Sequence, residues 1–334
     1  MTARFAMSAS LAGRRLAVLL ALAASACTPD ASADPALPAL AALPAAPALP
    51  AALAVAPADS VAAMSPATRA AFDRIVADAA AQNVAQRPYG EIVQWVGDQL
   101  RGRPYTAGLL DAPPRETLLA DLTQFDCVLY IENVLALARG IATGDATPEA
   151  YLADIARMRY RGGAMAGYGS RLHYFTEWIA DNAARGTLRD VTQDAGGVPF
   201  DKTIAFMSEH RASYPRLADA AAFDSVRTVE ARLAGMDLFY IPKARIAAAA
   251  DSLRAGDVVA MTTSIAGLDV THTGFVHVSP GAGSATGFLH ASSAANAVTL
   301  SPDLAAYVAG IRNQTGIVVA RPADPRGEER GTGD

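Results

Sequence analysis

The sequence predicts an α+β domain, and three observations carry that prediction. Apolar residues recur at helical spacing through the segments between residues 65 and 140. The last third changes to short runs rich in Val, Phe and Thr, separated by Gly, Pro, Ser and Asn, which is the pattern of an antiparallel sheet. A cysteine opens one of the helical segments while three of the five histidines lie in the strand segments, so the two halves carry complementary chemistry.

The elements follow in order. SPATRAAFDRIVADAAAQNVA begins with Ser65-Pro66, a helix start, and puts Phe72, Ile75 and Val76 on one stripe. YGEIVQWVGDQLRG predicts a second helix with Ile92, Val93, Trp95, Val96 and Leu100 as its apolar residues. GRPYTAGLLDAPPRETLLADLTQ reads as loop with a short strand or turn near its end. In FDCVLYIENVLALARG, residues Cys127, Ile131, Val134, Leu135 and Ala138 share one helical face. Residues 145 to 255 read as mixed helix and loop, with glycine-rich stretches RGGAMAGYGSRLHYF and DAGG. DVVAMTT, HTGFVHVS, TGFLHASS, AVTLS and TGIVVARP are the strands, and residues 323–334 read as a disordered tail.

The ends of the chain carry a different message. Residues 1–26 hold three Arg, no acidic residue and the apolar run LAVLLALAASA, which reads as a signal peptide too short to span a membrane. Ala24-Ser25-Ala26 before Cys27 resembles the lipobox of bacterial lipoproteins, with Ala24 where Leu is usual. Two outcomes stay open: lipidation at Cys27, with Thr28 favouring an outer-membrane lipoprotein that faces the periplasm, or plain cleavage to a soluble periplasmic protein. Residues 27–62 are a tether. Of these, residues 31–60 hold 14 Ala and 6 Pro, a density that breaks helices and favours extended chain. The catalytic domain is therefore expected over residues 63–322.

Composition narrows the function. The 28 basic and 33 acidic residues give a formal charge of −5, which becomes −8 when the three leader Arg are removed. Such a chain lacks a nucleic-acid footprint. Two cysteines, Cys27 and Cys127, are too few for a disulfide framework or a cysteine zinc site.

Cys127 sits at a helix start with Asp126 as its N-cap. There the backbone N–H groups and the helix dipole are expected to lower the thiol pKa and to supply oxyanion donors. On this segment alone the preferred reading is a small buried core residue. His272 and His277, five apart on a strand, must project to opposite faces, so only one can face the helix of Cys127. His290 on the next strand can stand beside His272 and orient its imidazole, giving a nucleophile, base and orienter. No H-E-x-x-H pattern or compact His ligand pair supports the alternative of a zinc amidase.

The ordered segments GRPYTAGLLD, FDCVLYIENVLALA, RAGDVVAMTT, LDVTHTGFVHV and FLHASS resemble the papain-like murein hydrolases of the NlpC type. YGSRLHYFTEWIADN and IAFMSEH resemble, more narrowly, the N-acetylmuramoyl-L-alanine amidase-like family, and the likeness spans residues 85–321. The resemblance implies a papain-like fold with N-terminal helices, a nucleophile helix and a C-terminal antiparallel sheet. It implies Cys127 as nucleophile, His272 as base and acid, His290 as its orienter, and Tyr105 lining the cleft. Val128-Leu129 stand where the NlpC pattern has Ser-Gly, which bears on substrate choice.

The segment with Arg171, His173, Tyr174, Phe175 and Trp178 would form a wall for sugar or peptide. Phe175 and Trp178 read equally as core, and His173 and His210 as structural histidines. The implied substrate is peptidoglycan, cut between N-acetylmuramic acid and L-Ala, without a cofactor or metal, by a monomer whose sole membrane contact is the lipid anchor. Cleavage within the stem peptide, at the D-Glu/diaminopimelate bond, and a non-catalytic wall-binding lipoprotein remain the alternatives.

Overall fold

The computed structural model describes residues 64–279 and 286–327. The expected signal peptide, residues 1–26, and the expected tether, residues 27–62, lie outside the described residues. Helix α1, Pro66–Ala81, starts where Ser65 accepts a hydrogen bond from the Thr68 N–H, and it buries Phe72 and Ile75 as the spacing predicts. Helix α2, Tyr89–Gln99, buries Ile92, Val93 and Val96.

Helix α3, Cys127–Thr143, departs from the one-stripe expectation, because 13 of its 17 residues are buried. It runs between α2 and α4 (Pro148–Arg159) on one side and the sheet on the other, so apolar side chains are needed all round. Small residues let the neighbours close in: a Cβ on Gly140 would stand 3.1 Å from Ala146 Cα.

The remaining elements are α5 (Phe175–Ala184), β1 (Leu188–Asp190), β2 (Val198–Pro199), α6 (Phe206–Glu209), α7 (Ala220–Leu233), β3 (Phe239–Pro242), α8 (Ile246–Ala249), β4 (Val258–Thr263), β5 (Val270–Val278), β6 (Thr286–Ser292), β7 (Ala297–Ser301), α9 (Leu304–Gly310) and β8 (Gln314–Pro322). The strands form one antiparallel sheet in the order β2-β3-β8-β4-β5-β6-β7, with β1 also paired to β8. The α+β class and all five expected strands are therefore present.

The sheet divides the core in two. Val258, Ala260, Phe275, Leu289 and Val318 pack toward the helices α2 and α3. Val259, Met261, Val276, Phe288 and Ile317 pack with α8 and α9 on the opposite face. A third cluster joins Tyr174 and Met207 to Leu217, Val226 and Leu233 of the α6–α7 region.

One end of the expected tail is held down. Arg326 pairs with Asp324 and donates to the Ala85 and Arg87 carbonyls, so the chain stays docked through Gly327, five residues past the expected boundary.

Gly256 precedes β4 at φ +77°, and a Cβ there would fall 2.4 Å from the Gly90 carbonyl oxygen at the start of α2. This backbone contact sets the distance from helix to sheet. Gly256→Ala is expected to destabilise the fold by roughly 2–4 kcal/mol, from φ strain plus the clash. Urea denaturation measures it, and a loss below about 0.5 kcal/mol, the scale of an ordinary surface change, would show that the contact is not tight.

Candidate active site

A cleft of about 310 Å³ opens where the first turn of α3 meets the beginning of β5. Asp126, Cys127, Arg171, His173, Phe175, Asp269, His272 and Thr273 are among its lining residues. Asp126 accepts the Leu129 N–H at 2.8 Å, which is the N-cap its position predicts. Thr273 Oγ1–H donates to the Cys127 carbonyl at 3.1 Å and fixes the helix start against β5.

Strand alternation resolves the histidines in an unexpected sense. His277, on the face of β5 that carries Phe275, meets Asp98 of α2 at 3.1 Å. His272 lies opposite Met261, on the other face, yet it reaches the cleft because it sits near the strand's open end. A bulge brings Met261 opposite His272 and Thr262 opposite Val270, leaving Thr271 as the extra residue.

His272 Nε2 lies 2.7 Å from His290 Nδ1, and His290 Nε2 lies 3.2 Å from Ser301 Oγ. If Ser301 accepts the His290 Nε2–H, then His290 Nδ1 accepts the His272 Nε2–H, and His272 keeps a bare Nδ1. The reversed chain would put the proton on that Nδ1, so the first alone makes His272 a base. Phe288 stacks on His290 with centroids 4.5 Å apart, and Tyr307 covers it at 4.8 Å. Gly274 makes room for this packing, since a Cβ there would fall 2.5 Å from the Phe288 ring.

The electrostatics differ from the expectation of a lowered thiol pKa. Burial pushes the Cys127 thiol up to about 11, and the Asp126 carboxylate adds to the rise, while Thr273 and the Cys127 N–H oppose it. Desolvation pushes His272 down to about 4 and His290 to about 3. The resting cleft thus holds a neutral thiol and a neutral imidazole.

The family description "N-acetylmuramoyl-L-alanine amidase-like" matches residues 95–317. An N-acetylmuramoyl-L-alanine amidase from Bacteroides uniformis ATCC 8492, solved at 1.15 Å, is 31% identical with a TM-score of 0.66. The match covers 70% of this chain and 99% of that one. The chain belongs to the N-acetylmuramoyl-L-alanine amidase-like family. A second structure of the same amidase, at 1.30 Å, gives 32% identity, a TM-score of 0.64, and coverage of 69% and 98%. A Bacteroides fragilis protein named as a candidate xylanase is 30% identical, with a TM-score of 0.60 and coverage of 68% and 99%. No curated protein matches the chain.

Within this amidase-like fold the other expected site residues divide. Tyr105, expected to line the cleft, is not among its lining residues; its phenol is pushed up to about 12 by burial and then by the charges of Cys127 and Asp126. Arg171 lines the cleft but is already held by Asp111, by Glu116 at 3.8 Å and by the Leu110 carbonyl at 2.9 Å.

His173 Nε2–H donates to the Tyr168 carbonyl at 2.8 Å, and burial beside Arg171 pushes the ring down to about 3, so it braces the wall. The Tyr174 hydroxyl donates to Glu230 at 2.7 Å and accepts from the Met207 N–H at 2.8 Å, which ties the cleft to α6 and α7. Trp178 is corrected from wall to core. It is 1% exposed, stacks on Phe175 at 4.8 Å, and its Nε1–H donates to buried Glu132. Phe175 is the member of that pair at the cleft. His210 bonds the Phe206 carbonyl outside the cleft, and Cys27 lies outside the described residues.

Sequence reasoning missed Thr273, Ser301, Asp269 and the buried Glu132–Arg159 pair. Asp269 accepts from the Thr176 N–H and hydroxyl, both at 2.9 Å, and so caps α5 from the β4–β5 connection.

Two measurements follow from these shifts. In a Cys27→Ser variant, iodoacetamide alkylation of Cys127 should rise with pH toward a midpoint near 11 instead of the usual 9.0. At pH 8 the thiolate fraction is then about a hundredfold lower than for an unperturbed thiol. A midpoint at or below 9 would overturn the neutral-pair assignment.

The lowered pKa values of His173, His272 and His290 make the unfolded state bind protons first. Their contribution is complete above the unfolded value of 6.5 and is lost as pH falls toward 4 and 3. Stability measured by urea titration should fall across that window, and a His290→Asn variant should fall less steeply.

Proposed function

We propose that the chain hydrolyses an amide bond of peptidoglycan, with the bond between N-acetylmuramic acid and L-Ala as the scissile one. Family membership supports the substrate class. The observation that carries the chemistry is the shared cleft of Cys127 and His272, with His272 Nε2 engaged by His290. A cysteine at a helix start facing a histidine on an antiparallel sheet also supports the papain-like, NlpC-type reading of the fold.

The neutral resting pair selects general-base catalysis over a preformed ion pair. As Cys127 Sγ attacks the carbonyl carbon, its proton passes to His272 Nδ1, and the new S–C bond creates a tetrahedral oxyanion. The Cys127 N–H, which favours negative charge at the sulfur, is the donor assigned to that oxygen, while the Thr273 hydroxyl stays committed to the Cys127 carbonyl. His272 then protonates the amine as the C–N bond breaks, leaving a thioester. Water, deprotonated by His272, cleaves the thioester and returns the thiol. His290 and Ser301 hold the imidazole in its base-competent tautomer.

A glycosidase would need two free carboxyl groups across the cleft. Here Asp111 accepts from Arg171, Asp126 caps α3, Glu132 is bound by Arg159 and Trp178, and Asp269 caps α5, so each of the four is already engaged. Export and anchoring through Cys27 rest on the leader sequence. Loss of membrane association in Cys27→Ser would support them, and an unchanged distribution would overturn them.

The function is tested with defined muropeptides and mass spectrometry. Release of an intact stem peptide with a free L-Ala amine is expected, and cleavage at any other bond overturns the assignment. Cys127→Ala and His272→Ala should each lower kcat by about 10³-fold or more. Ser301→Ala should lower it roughly tenfold and shift the pH profile, because it releases the tautomer without removing a reacting group. Unchanged turnover in Cys127→Ala would remove the cysteine from the mechanism.

A further inference from the structure

Beside the cleft lies a larger cavity of about 1080 Å³, bounded by the Asp111–Glu116 loop, the turn Tyr168–Ser170 and the start of α7. Asp111 and Tyr168 line both cavities, so the larger one adjoins the cleft. The inner cleft, at about 310 Å³, is at the small end for a drug-sized ligand. It accommodates the groups flanking one scissile bond, whereas a muropeptide extends well past them.

The chemistry of the outer walls indicates which part of the substrate enters. Its acidic groups are already engaged: Asp111 accepts from Arg171, Glu116 from Arg216 and the Tyr160 hydroxyl, and Asp219 caps α7. Arg216 and Arg161 are matched by Glu116 and Glu177. Arg115 is exposed on the wall and makes no hydrogen bond or ion pair among the described residues.

The aromatic ring of the wall is also occupied. The Arg171 guanidinium lies 4.8 Å from the Tyr168 centroid, that of Arg216 lies 5.3 Å from it, and the His173 ring is 4.4 Å away. Sugar recognition draws on open aromatic faces, and this ring is covered; what the cavity offers instead is the unpaired guanidinium of Arg115, across a wall on which Asp219 is held by the Ala222 N–H alone.

We propose that the outer cavity is the subsite for the stem peptide beyond its first residue, and that Arg115 receives a carboxylate of that peptide. The proposal rests on the peptidoglycan amidase reading and adds to it the side of the scissile bond that the outer cavity takes. It also makes Arg115 a specificity-determining residue, one that the sequence offered no reason to single out.

The test uses three substrates with the full-length protein: N-acetylmuramoyl-L-alanine, an N-acetylmuramoyl tripeptide with free carboxylates, and the same tripeptide with its carboxylates amidated. The wild-type chain should cleave the acidic tripeptide with a kcat/KM roughly fivefold above that of its amidated form, the scale of one partly exposed charge pair. Arg115→Gln should abolish that ratio, and Arg115→Lys, which keeps the charge, should recover most of it. Ala221 is exposed and lines the cavity, so Ala221→Trp should obstruct it and lower kcat/KM for both tripeptides relative to N-acetylmuramoyl-L-alanine.

An acid-to-amide ratio unchanged in Arg115→Gln overturns the role of Arg115. Tripeptide turnover unchanged in Ala221→Trp overturns the subsite. In both cases cleavage of N-acetylmuramoyl-L-alanine by the wild type leaves the amidase reading standing. Failure of the wild type to cleave any of the three overturns that reading and the proposal with it.

Discussion

The seating of the first turn of α3 against the bulged beginning of β5 is the constraint on which the cleft depends. Asp126 holds the helix start from one side and the Thr273 hydroxyl holds the Cys127 carbonyl from the other. Because α3 is buried along most of its length, its position is set by packing on every side. A shift of the helix would have to displace α2, α4 and the sheet together. The thiol therefore stands at a fixed place relative to His272, without any direct bond between the two side chains having to hold them there.

That placement has an electrostatic consequence. The same burial that fixes the helix takes Cys127, His272 and His290 out of water, and for each of them it favours the neutral form. The helix N-terminus and the Thr273 donors act in the opposite sense on the thiol but do not win. A neutral cysteine is protected from adventitious alkylation and oxidation until a substrate carbonyl is in place. Order in the imidazoles then comes from a chain of hydrogen bonds through His290 to Ser301 and from the rings of Phe288 and Tyr307. The same arrangement gives Gly274 its purpose, since the ring packed behind the histidines occupies the space a side chain would need.

Much of this was legible in the sequence, and the physical reasons differ from element to element. Helices α1 and α2 carry one apolar stripe each, and strands β4 to β8 are long and β-branched enough to declare themselves. Strands β1, β2 and β3 are only three, two and four residues long and are defined by their pairing partners. No local pattern marks them. Trp178 looked like a wall residue because aromatic residues cluster around it, yet its indole N–H has a buried carboxylate to satisfy and so it turns inward. Ser301 is invisible locally: it meets His290 only because β6 and β7 pair with Phe288 opposite Ser301.

Residue chemistry by itself determined the α+β class, the Asp126 cap, Cys127 at a helix start and the adjacency of His272 and His290, because caps, periodicity and strand alternation are local rules. Tertiary structure decided what those groups are in electrostatic terms and which neighbours they have. Desolvation depends on everything packed around a side chain, so the direction of the Cys127 shift could not be read from its helix alone. The larger cavity is likewise built from three segments far apart in the chain, and only their folding together leaves Arg115 facing it without a partner.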